Sequence, residues 1–431
     1  MDEILNKIYH IYHKNPKIST DTRKIEPGSI FFALKGENFN GNTFVKEAFE
    51  KGASFCVIDE AAYQINEQCF LVQDVLQMLQ QLARKHRQVL SIPLIVVGGS
   101  NGKTTTKELI YRVLSKKYKT FATQGNLNNH IGVPLSLLSI GADTQIAVIE
   151  IGANHQGETK ELCQIAEPDF GLLTNVGLDH LEGFGGWEGV KKANKELYDY
   201  LSENNKKIFI NTNEEVLLEI SKHIPNTQKI TYPNQNDYLH ITLSPSDFFV
   251  SYISENQEIV NTKLLGRYNF SNIATALCVG KFFAISPKDA NEAVAEYEPQ
   301  NNRSQVLRKE NNILILDAYN ANPSSMQEAI ANIALMKQSP KVLILGQMNE
   351  LGAFSETEHQ KLGNFIAQQN FDLVVLFGEE MQQALKALPQ AYFFVDKFSL
   401  HNWLIDKKIQ NSLILIKGSR GAKMETVVDF L

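Results

Sequence analysis

Short apolar runs that end in glycine or polar residues alternate with longer helical stretches through most of this chain. From about residue 89 onward, the apolar runs are "PLIVV", "QIAVIEIG" and "FGLLTNVG". Continuous apolar strands that alternate with helices are typical of a parallel sheet whose two faces are both covered. From about residue 304 the pattern recurs in "NILILDA", "KVLILG", "LVVLFG" and "LILIKG". We therefore expect two doubly wound sheets in succession.

The remaining stretches follow other patterns. The first 88 residues mix short apolar runs with turn residues and close on a helical pattern with Leu76, Leu79 and Leu82 on one face. The stretch from about 232 to 265 alternates polar and apolar positions, which predicts an antiparallel patch. The fold class is therefore α/β with three domains, which we place at 1–88 (small α/β), 89–303 (doubly wound) and 304–431 (Rossmann-like, doubly wound).

Composition excludes some classes of function. The 431 residues are 43% hydrophobic and 21% charged with a net charge of −6, an ordinary globular mixture that argues against a protein coating nucleic acid. The N-terminus is polar and lacks an apolar signal core, and no apolar run is long enough to cross a bilayer. We expect a cytoplasmic protein that is not embedded in a membrane and has no nucleic-acid partner. The four cysteines stand too far apart for a zinc site.

The stretch "IVVGGSNGKTTTKELI" resembles a phosphate-binding loop of unusual length. The familiar G-x-x-x-x-G-K-[ST] loop would need glycine at Val97, whereas the shorter G-x-x-G-K-T fits from Gly99. Its glycines let the backbone turn and present N–H groups, and the helix that follows adds its positive N-terminal end. The alternative is a plain glycine turn with a surface lysine. The loop predicts that the central domain is a P-loop-type ATPase, with ATP bound by Gly99, Ser100, Asn101, Gly102, Lys103, Thr104 and Thr105.

Two further residues follow strands of the same predicted sheet. Glu150 ends "AVIEIG", and His180 lies in "NVGLDHLEGFG" after the next strand. Because carboxyl ends of parallel strands meet at one edge, both side chains are candidates for a magnesium site together with the Thr104 hydroxyl. Taken singly, a glutamate at a strand end or a histidine in a loop is more often only solvated.

Several segments together resemble one family, the ATP-dependent Mur ligases of peptidoglycan synthesis. The resemblance covers nearly the whole chain and is carried by "DTRKIEPGSIFFALKGENFNG", "GGSNGKTTT", "GNLNNHIGVPLSLL", "GRYNFSNIATAL", "NNRSQV" and "KGSRGAKME". The segments "GANHQGE" and "DAYNANPSSM" are similar to the branch of the family that adds D-alanyl-D-alanine.

The resemblance implies an activity and a set of site residues. It implies ATP and Mg²⁺ as cofactors, UDP-N-acetylmuramoyl tripeptide and D-alanyl-D-alanine as substrates, and an acyl-phosphate intermediate. We expect a monomer, because no coiled coil or large apolar helix face stands out in the sequence. The catalytic residues it implies are Lys103, Glu150 and His180, with Thr104 and Glu150 on one metal and His180 on a second. The other implied contacts are Asn269 and Asn272 near the adenine, Arg303 and Asp317 toward the nucleotide, and Thr22, Arg23, Asn126, Asn128 and Asn129 toward the UDP-sugar. We also expect the C-terminal domain to close on ATP, since Arg303 and Asp317 lie at its junction.

Each implied contact has a structural alternative. Asn269 and Asn272 could cap a helix, Asp317 could start a turn, and Arg303 could form a linker salt bridge. The segment "DTR" could simply begin a helix.

The chain also departs from the family pattern. Asn194 stands where the family has a carbamylated lysine, and Lys195 is one step, or about 100°, further round the helix. Either the match to the family shifts locally or the second metal is held without a carbamate, and we expect the latter. Gln347 replaces a frequent aspartate, and Tyr268 replaces a frequent histidine.

Other functions compete with this interpretation. A related ligase could add a single amino acid to a muramoyl peptide or glutamate to folate. A nucleotide-dependent switch or transport ATPase would require an N-K-x-D or ABC-type signature, and "NANKEL" lacks the aspartate. A ligase-like protein with a decayed ATPase is disfavoured by the intact Lys103, Thr104 and Glu150.

Overall fold

The computed structural model describes residues 2–246, 248–300 and 302–431, so the first residue of "NNRSQV", Asn301, lies outside the described part. The N-terminal elements are α1 (Asp2–Lys14), β1 (Ile18–Ser19), β2 (Ile30–Phe32), β3 (Lys35–Gly36), β4 (Phe39–Asn40), α2 (Val45–Glu50), β5 (Phe55–Ile58), β6 (Cys69–Leu71) and α3 (Val75–Val89). The first four-stranded sheet is parallel, in the order β1-β2-β5-β6. The predicted small α/β domain with a closing helix is confirmed.

The middle of the chain supplies a second set of elements. They are β7 (Leu94–Gly98), α4 (Lys103–Ser115), β8 (Thr120–Ala122), α5 (Gly132–Leu138), β9 (Ile146–Glu150), α6 (Glu158–Ala166), β10 (Phe170–Leu173), α7 (Leu181–Phe184), α8 (Trp187–Glu203), β11 (Lys207–Asn211), α9 (Glu215–Ile220), β12 (Lys229–Tyr232), β13 (Thr242–Ser244), β14 (Phe249–Ile253), β15 (Ile259–Leu265), α10 (Asn269–Phe282) and α11 (Pro287–Glu296).

The middle strands follow the predicted parallel pattern. Strands β7, β9 and β8 lie side by side and parallel, and β7 and β9 are buried along their whole length. Val97 is the register partner of Glu150, so this glutamate lies beside the end of strand β7. Further along the chain, β10 lies beside β11, which pairs in parallel with β12. Strands β13, β14 and β15 form the predicted antiparallel patch.

The C-terminal elements form another sheet of six strands. They are β16 (Gln305–Lys309), β17 (Asn312–Asp317), α12 (Pro323–Leu335), β18 (Lys341–Gly346), α13 (Ser355–Ala367), β19 (Leu373–Phe377), α14 (Gln382–Leu385), β20 (Tyr392–Phe394), α15 (Lys397–Lys407) and β21 (Leu413–Lys417). The order is β16-β17-β21-β18-β19-β20, and all pairs except β16–β17 are parallel. Because β21 inserts between β17 and β18, the winding reverses there, which is where doubly wound sheets bind ligands.

The described chain divides into two compact units. The first comprises residues 2–97, 118–153 and 157–171, and the second comprises 98–117, 154–156 and the described part of 172–431. The glycine loop, the segments after β10 and the whole C-terminal sheet therefore belong to the second unit, and Glu150 belongs to the first. The domain boundaries at 88/89 and 303/304 stay a prediction. Within the described ranges, no helix is both long enough and apolar enough to span a membrane.

Candidate active site

The loop between β7 and α4 requires glycine at two positions. Gly99 has φ +115° and Gly102 has φ +78°, which are conformations that L-residues rarely adopt. A Cβ on Gly99 would lie 2.3 Å from Thr174 Oγ1 and 2.8 Å from Thr174 N. A Cβ on Gly102 would lie 2.7 Å from Asn272 Oδ1. Both glycines therefore permit close packing of the loop on its neighbours as well as a sharp turn.

The segment after β10 holds the loop in shape. Asn175 binds it at three points, because its carbonyl accepts from Ser100 N (3.1 Å), its Oδ1 accepts from Asn101 N (3.0 Å) and its Nδ2 donates to Asn101 O (3.1 Å). Ser100 Oγ donates to Asp179 Oδ1 at 2.5 Å and accepts from Gly177 N at 2.9 Å. Asn175 and Asp179 are site residues that sequence reasoning missed, although both lie in the segment "NVGLDH" that drew attention to His180.

The loop gathers positive charge at the start of α4. Lys103 is the first residue of that helix, and its ammonium bends back to donate to Gly99 O (2.5 Å) and Ser100 O (3.0 Å). Thr104 is 5% exposed, one position into the helix. A helix N-terminus and an ammonium group at a glycine loop together favour a polyphosphate. The geometry thus excludes the plain alternative of a surface lysine directed away from the loop.

Asn269 and Asn272 brace the helix that carries the loop. They lie in the first turn of α10, 3% and 6% exposed. Asn269 Nδ2 donates to Leu265 O (2.7 Å), Asn272 Nδ2 donates to Asn269 Oδ1 (2.7 Å), and Asn272 Oδ1 accepts from Thr106 Oγ1 (3.0 Å). These bonds run to Leu265, to each other and to Thr106, so capping is not the whole role of either side chain. Their contact with adenine stays a prediction.

At the C-terminal sheet, Asp317 ends β17 beside a buried lysine. Its Oδ2 accepts from Lys417 Nζ at 2.6 Å, and its Oδ1 accepts from the N–H of Ser304 at 3.1 Å. Lys417 has only 2% of its side chain exposed, so this ion pair holds two neighbouring strand ends together. The Asp317 carboxylate therefore binds Ser304 and Lys417, and the role of starting a turn does not describe these contacts.

Two arginines meet on one tyrosine at the same edge. The guanidinium carbon of Arg303 lies 3.6 Å from the ring centroid of Tyr319, and that of Arg420 lies 5.3 Å from it. Arg303 therefore stacks on an aromatic ring, and the linker salt bridge considered from the sequence is not what the structure shows. Sequence reasoning missed Tyr319 and Arg420, which lie in the quoted segments "DAYNANP" and "KGSRG".

The segment "NANPSS" connects this edge to the glycine loop. Asn322 Nδ2 donates to Asn101 Oδ1 at 2.8 Å, and Leu178 N donates to Ser324 Oγ at 2.9 Å. Asn322 also caps α12 through a reciprocal pair of bonds with Ser325. The C-terminal segment thus touches the loop and the segment after β10. Its movement onto ATP stays a prediction.

His180 lies at a tight turn and contacts Glu350, a residue of the loop after β18. Its φ is +46°, and it precedes the short helix α7. Its Nδ1 bonds the carboxylate of Glu350, and this bond keeps the pKa of Glu350 below its ordinary value. The N–H of Glu182 also donates to Glu350 O at 3.3 Å. Glu350 is a further residue that sequence reasoning missed.

In the first unit, Glu150 is a buried carboxylate at a strand end. It is 2% exposed, and its Oε1 accepts from Asn128 Nδ2 at 2.8 Å. Among the described residues there is no group of three or more His, Cys, Asp or Glu side chains that could cage a metal. Mg²⁺ does not need such a cage, since it keeps several waters and uses one or two carboxylates with substrate phosphates. A buried carboxylate such as Glu150 is a hard oxygen donor that fits this ion.

The residues predicted to contact the UDP-sugar have local partners in this unit. Asn129 Oδ1 accepts from Gly132 N at 2.9 Å, and Asn126 is exposed. Thr22 is buried, whereas the Arg23 side chain is 85% exposed and pairs with Asp21. Asp21 caps a short 3-10 helix at Thr22–Lys24, so the helix start considered from the sequence is present. Their contact with a sugar nucleotide stays a prediction.

Three models of one family match separate parts of the chain. They are "Mur ligase family, catalytic domain" at 17–87, "Mur ligase middle domain" at 97–280 and "Mur ligase, glutamate ligase domain" at 302–420. The UDP-N-acetylmuramoyl-tripeptide–D-alanyl-D-alanine ligase of Bacillus subtilis is 35% identical over 424 residues, which are 95% of this chain and 92% of that protein. The chain belongs to the Mur ligase family.

Solved structures of Mur ligases share the whole fold. The crystal structure of MurF from Acinetobacter baumannii is 29% identical, with a TM-score of 0.87 over 96% of this chain and 92% of that one. The MurF ligase from Thermotoga maritima in complex with ADP is 26% identical, with a TM-score of 0.83 over 96% of each chain. The predicted fold class, with three domains and two doubly wound sheets, is confirmed.

At the carbamate position of the Mur ligases, this chain has a structural asparagine. Asn194 is 8% exposed and donates to Val190 O at 2.9 Å. The neighbouring Lys195 pairs with Asp199 one turn along α8. Both side chains have partners within their own helix, and it stays a prediction that Lys195 does not replace the carbamylated lysine. How this member holds a second metal stays a prediction.

Proposed function

We propose that the chain is an ATP-dependent ligase that joins D-alanyl-D-alanine to the terminal carboxylate of UDP-N-acetylmuramoyl tripeptide in peptidoglycan precursor synthesis. The observation that carries this proposal is a likeness to such a ligase over 95% of this chain and 92% of that protein's length. The ADP complex of the Thermotoga maritima enzyme supports ATP as the nucleotide. We further propose that the enzyme acts as a cytoplasmic monomer.

The first step activates a carboxylate. An oxygen of the tripeptide's terminal carboxylate attacks the γ-phosphorus of ATP, the bond to the bridging oxygen breaks, and ADP leaves with the electron pair. The product is an acyl phosphate. Phosphoryl transfer is promoted mainly by positioning and by stabilisation of negative charge. Lys103 and the N–H groups of the glycine loop supply positive charge at the phosphates.

The second step forms the amide. The amine of D-alanyl-D-alanine attacks the acyl carbon, a tetrahedral intermediate forms, and inorganic phosphate leaves while the amine loses a proton. No covalent bond to the protein is needed, so the chain's task is to orient two substrates and exclude water. When bound, Mg²⁺ would offset charge on the phosphates. Thr104 and Glu150 are its proposed ligands, and His180 is the proposed ligand of a second metal.

Phosphate release tests this function. With UDP-N-acetylmuramoyl tripeptide, ATP and D-alanyl-D-alanine, one phosphate should be released for each dipeptide consumed, and Lys103→Ala should lower the rate about a hundredfold or more. Lys116→Ala is the matched control, because this exposed lysine follows the same helix and pairs only with surface glutamates. If a single amino acid replaces the dipeptide equally well, or if folate and glutamate replace the muramoyl tripeptide and the dipeptide, the related-ligase alternative is correct. If no acceptor supports release, the proposed function is wrong.

A further inference from the structure

Within the part of the chain that the structure describes, His180 forms one ion pair, and its partner Glu350 is 170 positions further along the chain. Its ring lies edge-on to Phe184, with centroids 6.2 Å apart, and its Nδ1 bonds Glu350. About three quarters of the His180 side chain is buried. Glu350 lies in the loop that follows β18, at the carboxyl edge of the C-terminal sheet. One imidazole nitrogen is therefore committed to a carboxylate, and the other is left for a ligand.

The loop that presents Glu350 is fixed on its N-terminal side. The N–H of Met348 donates to Nε2 of His359, which is 0% exposed, and Nδ1 of His359 is 2.8 Å from Ser355 O. The N–H of Asn349 donates to Ser419 Oγ at 2.8 Å. Met348 and Asn349 are thus both anchored immediately before Glu350. Such anchoring gives an exposed carboxylate a defined position that a mobile surface loop would not give it.

Glu350 itself adopts an unfavourable backbone conformation. Its φ is +64°, a region that glutamate rarely occupies. Its carbonyl accepts from the N–H of Glu182, so main chain and side chain both contact the turn at His180. Strained residues that persist are held by their surroundings and concentrate at functional sites.

We propose that Glu350 is a positioning residue that fixes the orientation and tautomer of His180 for a divalent cation. The inference rests on the proposed function. With Nδ1–H donating to the carboxylate, the lone pair of the neutral ring lies on Nε2. A nitrogen without hydrogen accepts a cation or a donor and repels a phosphate oxygen. Because Glu350 comes from the C-terminal segment, His180 is prepared for its ligand only while that segment is docked.

Histidine NMR on the full-length chain tests the proposal apart from catalysis. In ¹⁵N-histidine-labelled protein, long-range ¹H–¹⁵N spectra report which ring nitrogen carries hydrogen, and His180→Gln assigns the signal among the ten histidines. The wild type should show hydrogen on Nδ1. Glu350→Ala should lose this preference, whereas Glu350→Gln should retain part of it because the amide oxygen still accepts. Glu379→Gln, an exposed glutamate of the same sheet edge, should leave the signal unchanged.

Metal and kinetic measurements give the second readout. Adding Mn²⁺ with ADP should broaden the His180 signal of the wild type, and Glu350→Ala should weaken this effect. Ligation by Glu350→Ala should fall roughly 10- to 100-fold in kcat, with the KM for dipeptide unchanged and partial recovery in Glu350→Gln. If Glu350→Ala keeps the wild-type tautomer and Mn²⁺ broadening, the inference is overturned even though ligase activity stands. A wild type that releases no phosphate refutes the proposed function while the NMR result still decides the tautomer.

Discussion

Replacing Gly99 by alanine tests whether the glycine loop is shaped by its neighbours. The new Cβ would lie 2.3 Å from Thr174 Oγ1, 2.8 Å from Thr174 N and 2.9 Å from Asn175 O. Two of these atoms are main chain, so rotation of one side chain cannot relieve the crowding. Since real Cβ contacts lie beyond 3.0 Å, the two main-chain contacts at 2.8 and 2.9 Å require the loop to shift by about 0.1–0.2 Å even after the Thr174 hydroxyl has rotated away.

The expected magnitude combines two effects. A non-glycine residue forced into this backbone region costs about 1–3 kcal/mol, and overpacking against main chain adds about 1–3 kcal/mol. The shift also displaces the N–H groups that would bind the phosphates, and a catalytic constellation depends on such positions being held closely. We therefore expect Gly99→Ala to lower the free energy of unfolding by about 2–6 kcal/mol and kcat/KM by about a hundredfold.

Gly157→Ala separates conformational strain from crowding. Gly157 also has positive φ, +95°, but nothing lies within 4 Å of its Cβ position. Urea unfolding should show a loss of about 1–3 kcal/mol for this control, with nucleotide affinity retained. Adding Thr174→Ala to Gly99→Ala should restore little, because Thr174 N and Asn175 O remain. If Gly99→Ala binds ADP as the wild type does and unfolds no more easily than Gly157→Ala, the packing argument fails.

Three other changes give simpler tests. Asn322→Asp keeps the oxygen that caps α12 but removes the donor to Asn101, so the KM for ATP should rise severalfold while the melting temperature stays level in a thermal scan. Lys417→Met leaves the carboxylate of Asp317 without its ammonium partner and should lower the free energy of unfolding by about 3 kcal/mol in urea; adding Asp317→Asn should recover part of it, and no recovery would contradict the ion-pair explanation. Desolvation and nearby carboxylates raise the pKa of Glu328 to about 7. Between about pH 4.5 and 7 the folded state therefore binds more protons than the unfolded state, so the free energy of unfolding falls as pH rises. Glu328→Gln should accordingly stabilise the protein at pH 8 but not at pH 4.5.

Local pattern was sufficient to predict the sheets. The strands "LIVVG" and "LILIK" are buried along their whole length, and the runs that separate them form helices, as alternation of buried strands and helices requires. The start of α4 was also predictable, because a glycine loop between a strand and a helix is typical of a phosphate-binding helix N-terminus. These signals are local in sequence, because each strand or helix is specified by the residues within it.

The alternatives for Asn269 and Asn272 show where local reasoning fails. A polar residue at the start of a helix is usually a cap, but these side chains donate backward to Leu265 O and accept from Thr106 on another helix. Asn272 Oδ1 also occupies the space that a side chain on Gly102 would fill. The sequence of α10 alone does not indicate these contacts. They depend on the packing of α10 on α4, which brings together residues 166 positions apart.

The glycines of the loop have a packing role besides the one that the sequence indicates. The sequence alone explains them by a turn that exposes N–H groups to phosphate. In the structure, Gly99 also leaves room for Thr174, and Asn101 is bonded on one side by Asn175 and on the other by Asn322, 221 positions away. The loop is therefore the place where the segment after β10 and the C-terminal segment meet. A change in either partner alters the phosphate site without touching the motif itself, which is why an intact motif alone does not establish an active ligase.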